Sequence, residues 1–114
     1  MTKILHNPRC SKSRATLELV KSKGIEPVVI EYLKDTPSSS DLREILAMLG
    51  KGARDIIRSG EDIYKELGLA DPDLGDDDLI EAMVDNPILI ERPIVIHNGK
   101  AALGRPPEDV LTIL

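Results

Sequence analysis

The 114-residue sequence contains no phenylalanine, no tryptophan and only two tyrosines. With a hydrophobic fraction of 41%, its core must therefore be aliphatic. A single cysteine, Cys10, excludes an internal disulfide, so redox chemistry at that thiol requires a thiol from another molecule. The only histidines, His6 and His97, are distant in sequence and with one cysteine form no ligand cluster, so no metal site is expected. No run approaches the ~18 apolar residues of a membrane span, and MTKILHNPRC lacks an apolar signal-peptide core. No membrane association and a cytoplasmic location are expected. No repeat or low-complexity linker interrupts the chain, and 114 residues suffice for one domain over 1–114.

Charge is unevenly distributed. Residues 1–23 carry six Lys/Arg against one Glu, residues 24–91 six against seventeen acids, and residues 92–114 three against two, giving the overall −5. The acidic middle argues against a nucleic-acid partner. The two basic ends would make a local positive site if the fold brings them together, and Cys10 lies within the first of them, in HNPRCSKSR.

Periodicity gives the order of elements. Residues 3–6 are β-prone, a helix is expected from Ser11 to Lys23 with Ala15, Leu17, Leu19 and Val20 as its apolar residues, and Gly24 ends it. Pro27–Tyr32 reads as a β-branched strand. Ser38–Ser40 offer N-caps to a helix with Leu42, Ile45, Leu46 and Leu49 on one face. Further short helices are expected at about 53–58, 62–67 and 76–84. The aspartates between 71 and 78 do not follow calcium-loop spacing and read as caps and solvated loop. Arg92–His97 reads as a strand, Asn98-Gly99 as a hairpin turn, Ala101–Leu103 as its partner and Pro106–Leu114 as a terminal helix.

The order βαβ, a helical stretch, then ββα is that of an α/β thioredoxin-like fold with a mixed sheet and a helical insertion at about 38–85. It places Cys10 between the first strand and the first helix, where unpaired N–H groups and the helix dipole favour thiolate over thiol. HNPRCSKSR, Tyr32-Leu33, the segments 54–58 and 64–69, and Asn86–Ile94 together resemble the glutaredoxin-linked arsenate reductase family over nearly the whole chain.

That resemblance implies Cys10 as nucleophile, Arg58, Arg92 and Arg105 as the oxyanion site, and His6, Ser13 and Arg14 as residues supporting the thiolate. It also implies a cis Arg92-Pro93 bond. Residue chemistry is compatible, because arginine is always charged and forks onto oxyanions. Arg58 has a second reading as a surface ion pair, with Glu61 and Asp62 close in sequence. Gly104 permits either close backbone approach or a simple turn. Ser13 stands where a CxxC oxidoreductase has its second cysteine, so Cys10 must be resolved externally. The implied cycle uses glutathione as co-substrate, glutaredoxin as partner and no bound cofactor. Alternatives are a non-enzymatic regulator of the same fold and a thiol-dependent reductase of another small substrate. A phosphatase loop, C-x5-R, is disfavoured because Thr16 occupies the arginine position.

Overall fold

The computed structural model describes residues 1–114, and its internal contacts cluster into two compact units: residues 1–35 with 92–114, and residues 36–91. The first unit is built on a four-stranded mixed sheet. Strands β1 (Thr2–Leu5), β2 (Val28–Ile30), β3 (Ile94–His97) and β4 (Lys100–Leu103) lie in the order β2-β1-β3-β4. β1 and β2 are parallel, joined through helix α1 (Ser11–Ser22), while β1–β3 and β3–β4 are antiparallel. This is the α/β, thioredoxin-like arrangement anticipated from the order of elements.

The core of this unit is aliphatic. Ile4, Val20, Val95 and Val110 are fully buried, with Leu17, Leu19, Ile25, Ala102, Ile113 and Leu114 packed around them. Each large aliphatic side chain so buried contributes roughly 1.5–3 kcal/mol. Asn98 and Gly99, at φ 49° and 80°, make the two-residue hairpin turn that needs positive φ at both positions.

Three elements of this unit differ from expectation. The second strand is shorter than 27–32 because it pairs only with β1, over three residues, and lies at the sheet edge with Val28 and Val29 exposed. In α1, Ala15 is exposed, and the buried stripe is Ser13, Thr16 and Val20, so two hydroxyl residues take positions that apolar periodicity does not register. The terminal segment is a 3-10 helix over Pro107–Thr112, with i→i+3 bonds from Asp109 N–H to Pro106 O and from Ile113 N–H to Val110 O. Such tighter bonding is used in short pieces, often at the ends of elements.

The second unit comprises α2 (Ser39–Leu49), α3 (Asp62–Glu66) and α4 (Asp76–Asp85), with 3-10 turns at Ala53–Asp55 and Pro87–Leu89. Ser38 caps α2 in a reciprocal capping box with Asp41, and Gly50 closes the helix in the left-handed conformation. α2 packs on α4 through a layer that includes buried Leu42, Ile45, Leu46, Leu79, Ile80 and Met83. The helix expected over 53–58 stops at Asp55. Ile57 instead bridges Ile90 antiparallel, Arg58 N–H donates to Leu89 O and Glu91 N–H to Ile56 O, so non-local pairing takes the backbone groups a longer helix would use. Two of the aspartates act locally, Asp71 accepting from Asp73 N–H and Asp78 from Gly75 N–H, and two reach distant segments, Asp76 accepting from Ala53 N–H and Asp77 pairing with Arg43. No helix of the structure is long and apolar enough to cross a membrane.

Candidate active site

Sheet register brings three chain segments to one end of the first unit. Leu5 pairs with Ile94 and Ile94 with Leu103, so the loop leaving β1, the residues entering β3 and those leaving β4 share that end. They carry Cys10, Arg92 and Arg105 respectively. His97 lies at the opposite end, where Thr2 Oγ1 and His97 Nδ1 are 2.6 Å apart, and it belongs to no reactive group.

Cys10 is the N-cap residue of α1, with extended backbone, and is half-buried. The first turn of the helix contains no acidic side chain that would repel a thiolate. Burial of the sulfur pushes its pKa up. Hydrogen bonding from the Ser13 N–H, the Arg92 guanidinium and the Lys12 N–H, together with the Arg92 charge, outweighs burial and holds the thiol below its ordinary value. The orphan N–H groups at the start of α1 favour the anion of the sulfur.

The loop that presents Cys10 is held from both sides. Cys10 N–H donates to Asn7 O, and Arg9 N–H to Asn7 Oδ1. Ser13, fully buried, accepts from Asn7 N–H at 3.0 Å and lies 2.6 Å from His6 Nδ1. With the Asn7 N–H already directed at the oxygen, the Ser13 hydroxyl hydrogen is available to His6 Nδ1, provided the imidazole is neutral. Burial lowers the His6 pKa, opposed by Glu31 and reinforced by Arg14 and Lys21, which favours that neutral form. His6 and Ser13 therefore meet each other beneath the loop, while it is the backbone N–H of Ser13 that favours the thiolate.

Arg14 is placed differently from Arg92. Its Nη1 donates to Pro8 O at 2.8 Å, and it is not among the groups that lower the Cys10 pKa; it ties down the loop. Arg105 Nη1 reaches the Arg92 carbonyl at 3.3 Å, linking the two arginine-bearing segments. Both Arg92-Pro93 and Arg105-Pro106 are cis, the second without any signal in the sequence. Arg58 belongs to the other unit, where Nε meets Glu61 Oε2 at 3.2 Å and Nη1 meets Glu91 Oε1 at 3.0 Å. The pairing with Glu61 was legible from its spacing; that with Glu91, 33 residues away, was not.

Gly104 is a residue the sequence left ambiguous. A Cβ there would fall 2.5 Å from Thr16 Oγ1 and 2.6 Å from Pro93 Cγ, so the backbone makes a close approach to α1 and to the cis proline, and its φ is not positive. Thr16 is itself fixed by donating to Lys12 O at 2.8 Å. The absent side chain at 104 lets the chain leave β4 against the helix that carries Cys10.

A family model described as the ArsC family matches residues 5–113. The chain belongs to the ArsC family. Among its relatives, an uncharacterized Escherichia coli (strain K12) protein, YfgD, is 58% identical over 98% of this chain and 95% of its own length. An arsenate reductase of Neisseria meningitidis (strain Z2491) is 51% identical over 98% and 97% respectively. Among solved structures, the arsenate reductase from Vibrio cholerae superposes with a TM-score of 0.96 at 52% identity, covering 99% of this chain and 97% of that one. For an ArsC chain, a thiol at a helix start beside an arginine is an arrangement suited to nucleophilic attack on an oxyanion.

Proposed function

We propose that this protein is an arsenate reductase in which Cys10 is the nucleophile and Arg92 and Arg105 receive the oxyanion. The observation that carries the reading is the Cys10 thiol, held below its ordinary pKa with Arg92 as the charged group acting on it. Membership of the ArsC family and the names of the Neisseria and Vibrio relatives supply the substrate. Arg58 is the third arginine of this reading, assigned on the family resemblance alone.

In the proposed cycle the Cys10 thiolate bonds to As(V) and one arsenate oxygen leaves, protonated, as water. Glutathione adds in the same way, giving an arsenic bonded to Cys10 and to glutathione sulfur. A glutaredoxin thiolate then attacks the glutathione sulfur. The arsenic–sulfur bond breaks with its electron pair passing to arsenic, which becomes As(III), and glutathione and glutaredoxin end as a mixed disulfide. Water displaces Cys10 from As(III), releasing arsenite and the thiol. Two thiols thus supply the two electrons, no bound cofactor takes part, and the reducing pool required is that of the cytoplasm. Arg92 offsets the charge repulsion between thiolate and oxyanion.

The test is the initial rate of arsenite formation with glutathione and glutaredoxin, each omitted in turn, for wild type and Cys10→Ser. The expected result is turnover that requires both thiols and Cys10. Turnover unchanged in Cys10→Ser would sink the assignment, and turnover with glutathione alone would remove glutaredoxin from it.

A further inference from the structure

The loop between β1 and α1 closes on residue 7. Three polar groups of Asn7 each make a hydrogen bond at 3.0 Å: its N–H donates to Ser13 Oγ, its carbonyl accepts from Cys10 N–H, and its side-chain Oδ1 accepts from Arg9 N–H. The first two belong to the backbone and do not depend on the side chain; only the bond from Arg9 needs the amide. Pro8 has no N–H and the Cys10 N–H is already used, so Arg9 N–H is the donor of residues 8–10 left for a side chain. Oδ1 takes it in the turn that Asn and Asp side chains form with the backbone two residues on. That turn delivers the chain to Cys10 in the extended conformation of an N-cap (φ −92°, ψ 122°), in which the Ser13 and Lys12 N–H groups act on the sulfur.

Aspartate would make the same turn. It would also set a carboxylate into a stretch, residues 6–14, whose charged side chains are Arg9, Lys12 and Arg14, and the first turn of α1 likewise contains no acid. A negative charge there opposes a thiolate. The amide supplies the acceptor without the charge.

We propose that Asn7 is a positioning residue for Cys10: its neutral amide oxygen locks the Pro8–Arg9 turn that presents Cys10 at the start of α1, and adds no negative charge beside the sulfur. This rests on the reading of Cys10 as the reacting thiol. Asn7 acts through the loop. With the turn untied, Cys10 leaves the N-cap geometry for part of the time, the sulfur loses its N–H groups, and the thiol returns towards its ordinary pKa.

The experiment follows alkylation of Cys10 by iodoacetamide, an uncharged reagent, against pH in the full-length protein at about 0.01 M and about 1 M salt, where charges act over about 30 Å and about 3 Å respectively. The variants are Asn7→Ala and Asn7→Asp, with Ser38→Ala, which removes a cap in the other unit, as a control for destabilisation. The Asn7→Ala profile should move to higher pH by about half to one unit at both salt concentrations, the size of one net hydrogen bond. Asn7→Asp should move at low salt and return towards wild type at high salt, because it keeps the acceptor and adds only a screenable charge. An Asn7→Ala profile that coincides with wild type, or an Asn7→Asp profile that does so at low salt, would overturn the proposal. A matching shift in Ser38→Ala would reduce it to general loosening and overturn it too. Should Asn7→Ala not fold, Asn7→Asp at high salt decides: a profile matching wild type supports the acceptor role, and one still displaced overturns it. These profiles are read without turnover, so arsenate reduction that survives Cys10→Ser would sink the nucleophile reading while leaving the titrations as they are.

Discussion

The sheet-bearing unit holds ten Lys/Arg against six Asp/Glu, net +4, and the helical unit five against fourteen, net −9, which together make the chain's −5. The same side chain behaves differently in the two. Arg92, in the first, lowers the pKa of a thiol; Arg58, in the second, is held by two carboxylates. Charge alone therefore does not make an arginine an anion receptor. What matters is which neighbours the backbone brings to it: a thiol beside Arg92, two carboxylates beside Arg58.

The largest effect that would break the comparison is loss of the sulfur. Cys10→Ser should abolish arsenate reduction while leaving the melting temperature nearly unchanged, because the side chain is half-buried and packs in no apolar core. Residual turnover would show chemistry elsewhere in the molecule.

Arg92→Ala should cost about 2–4 kcal/mol in kcat/KM if it supplies a direct charged contact to the oxyanion. It should also raise the Cys10 pKa. Thiolate reactivity is present above that pKa and lost as pH falls through it, so the alkylation–pH profile of the variant should shift to higher pH than wild type. Profiles that coincide would take Arg92 away from the sulfur.

Gly104→Ala should destabilise the protein by about 1–3 kcal/mol through overpacking against Thr16 and Pro93. It should also move the Cys10 titration, since both neighbours flank the site. Denaturant midpoints with thiolate absorbance on the same samples check this, and an unchanged midpoint would mean that the close approach relaxes freely.

Ser38→Ala sharpens the contrast from the other unit. Loss of the α2 cap should cost about 1 kcal/mol with the Cys10 titration unmoved. A shifted titration would show that the helical unit tunes the thiol.

The smallest effect concerns His6. Its pKa in the fold lies below the unfolded value of about 6.5, so the unfolded chain binds more protons in that range. The contribution of neutral His6 is full above that value and fades as pH drops through the folded pKa. Thermal midpoints of wild type should fall more steeply on acidification than those of His6→Gln, and parallel slopes would remove His6 as the titrating group.

By itself the sequence determined much of this protein: the aliphatic core, α1 and α2, the hairpin at Asn98-Gly99, the helix-start position of Cys10 and, through spacing, the Arg58–Glu61 pair. Each depends on residues close along the chain, where periodicity, capping and turn chemistry act without reference to the rest of the fold. Only the tertiary structure decided the Ser13–Thr16–Val20 stripe of α1, the end of the 53–58 helix at Asp55, the close approach at Gly104, the Glu91 contact to Arg58, and the placing of Arg14 on Pro8 and Arg105 on Arg92. Those outcomes turn on which hydrogen-bonding groups and surfaces the folded chain brings together, some across a single loop and others across tens of residues. Ser13 and Thr16 are buried where His6 and Gly104 lie against them, and the 53–58 helix stops where the segment 89–91 pairs with its backbone, so apolar periodicity does not register them.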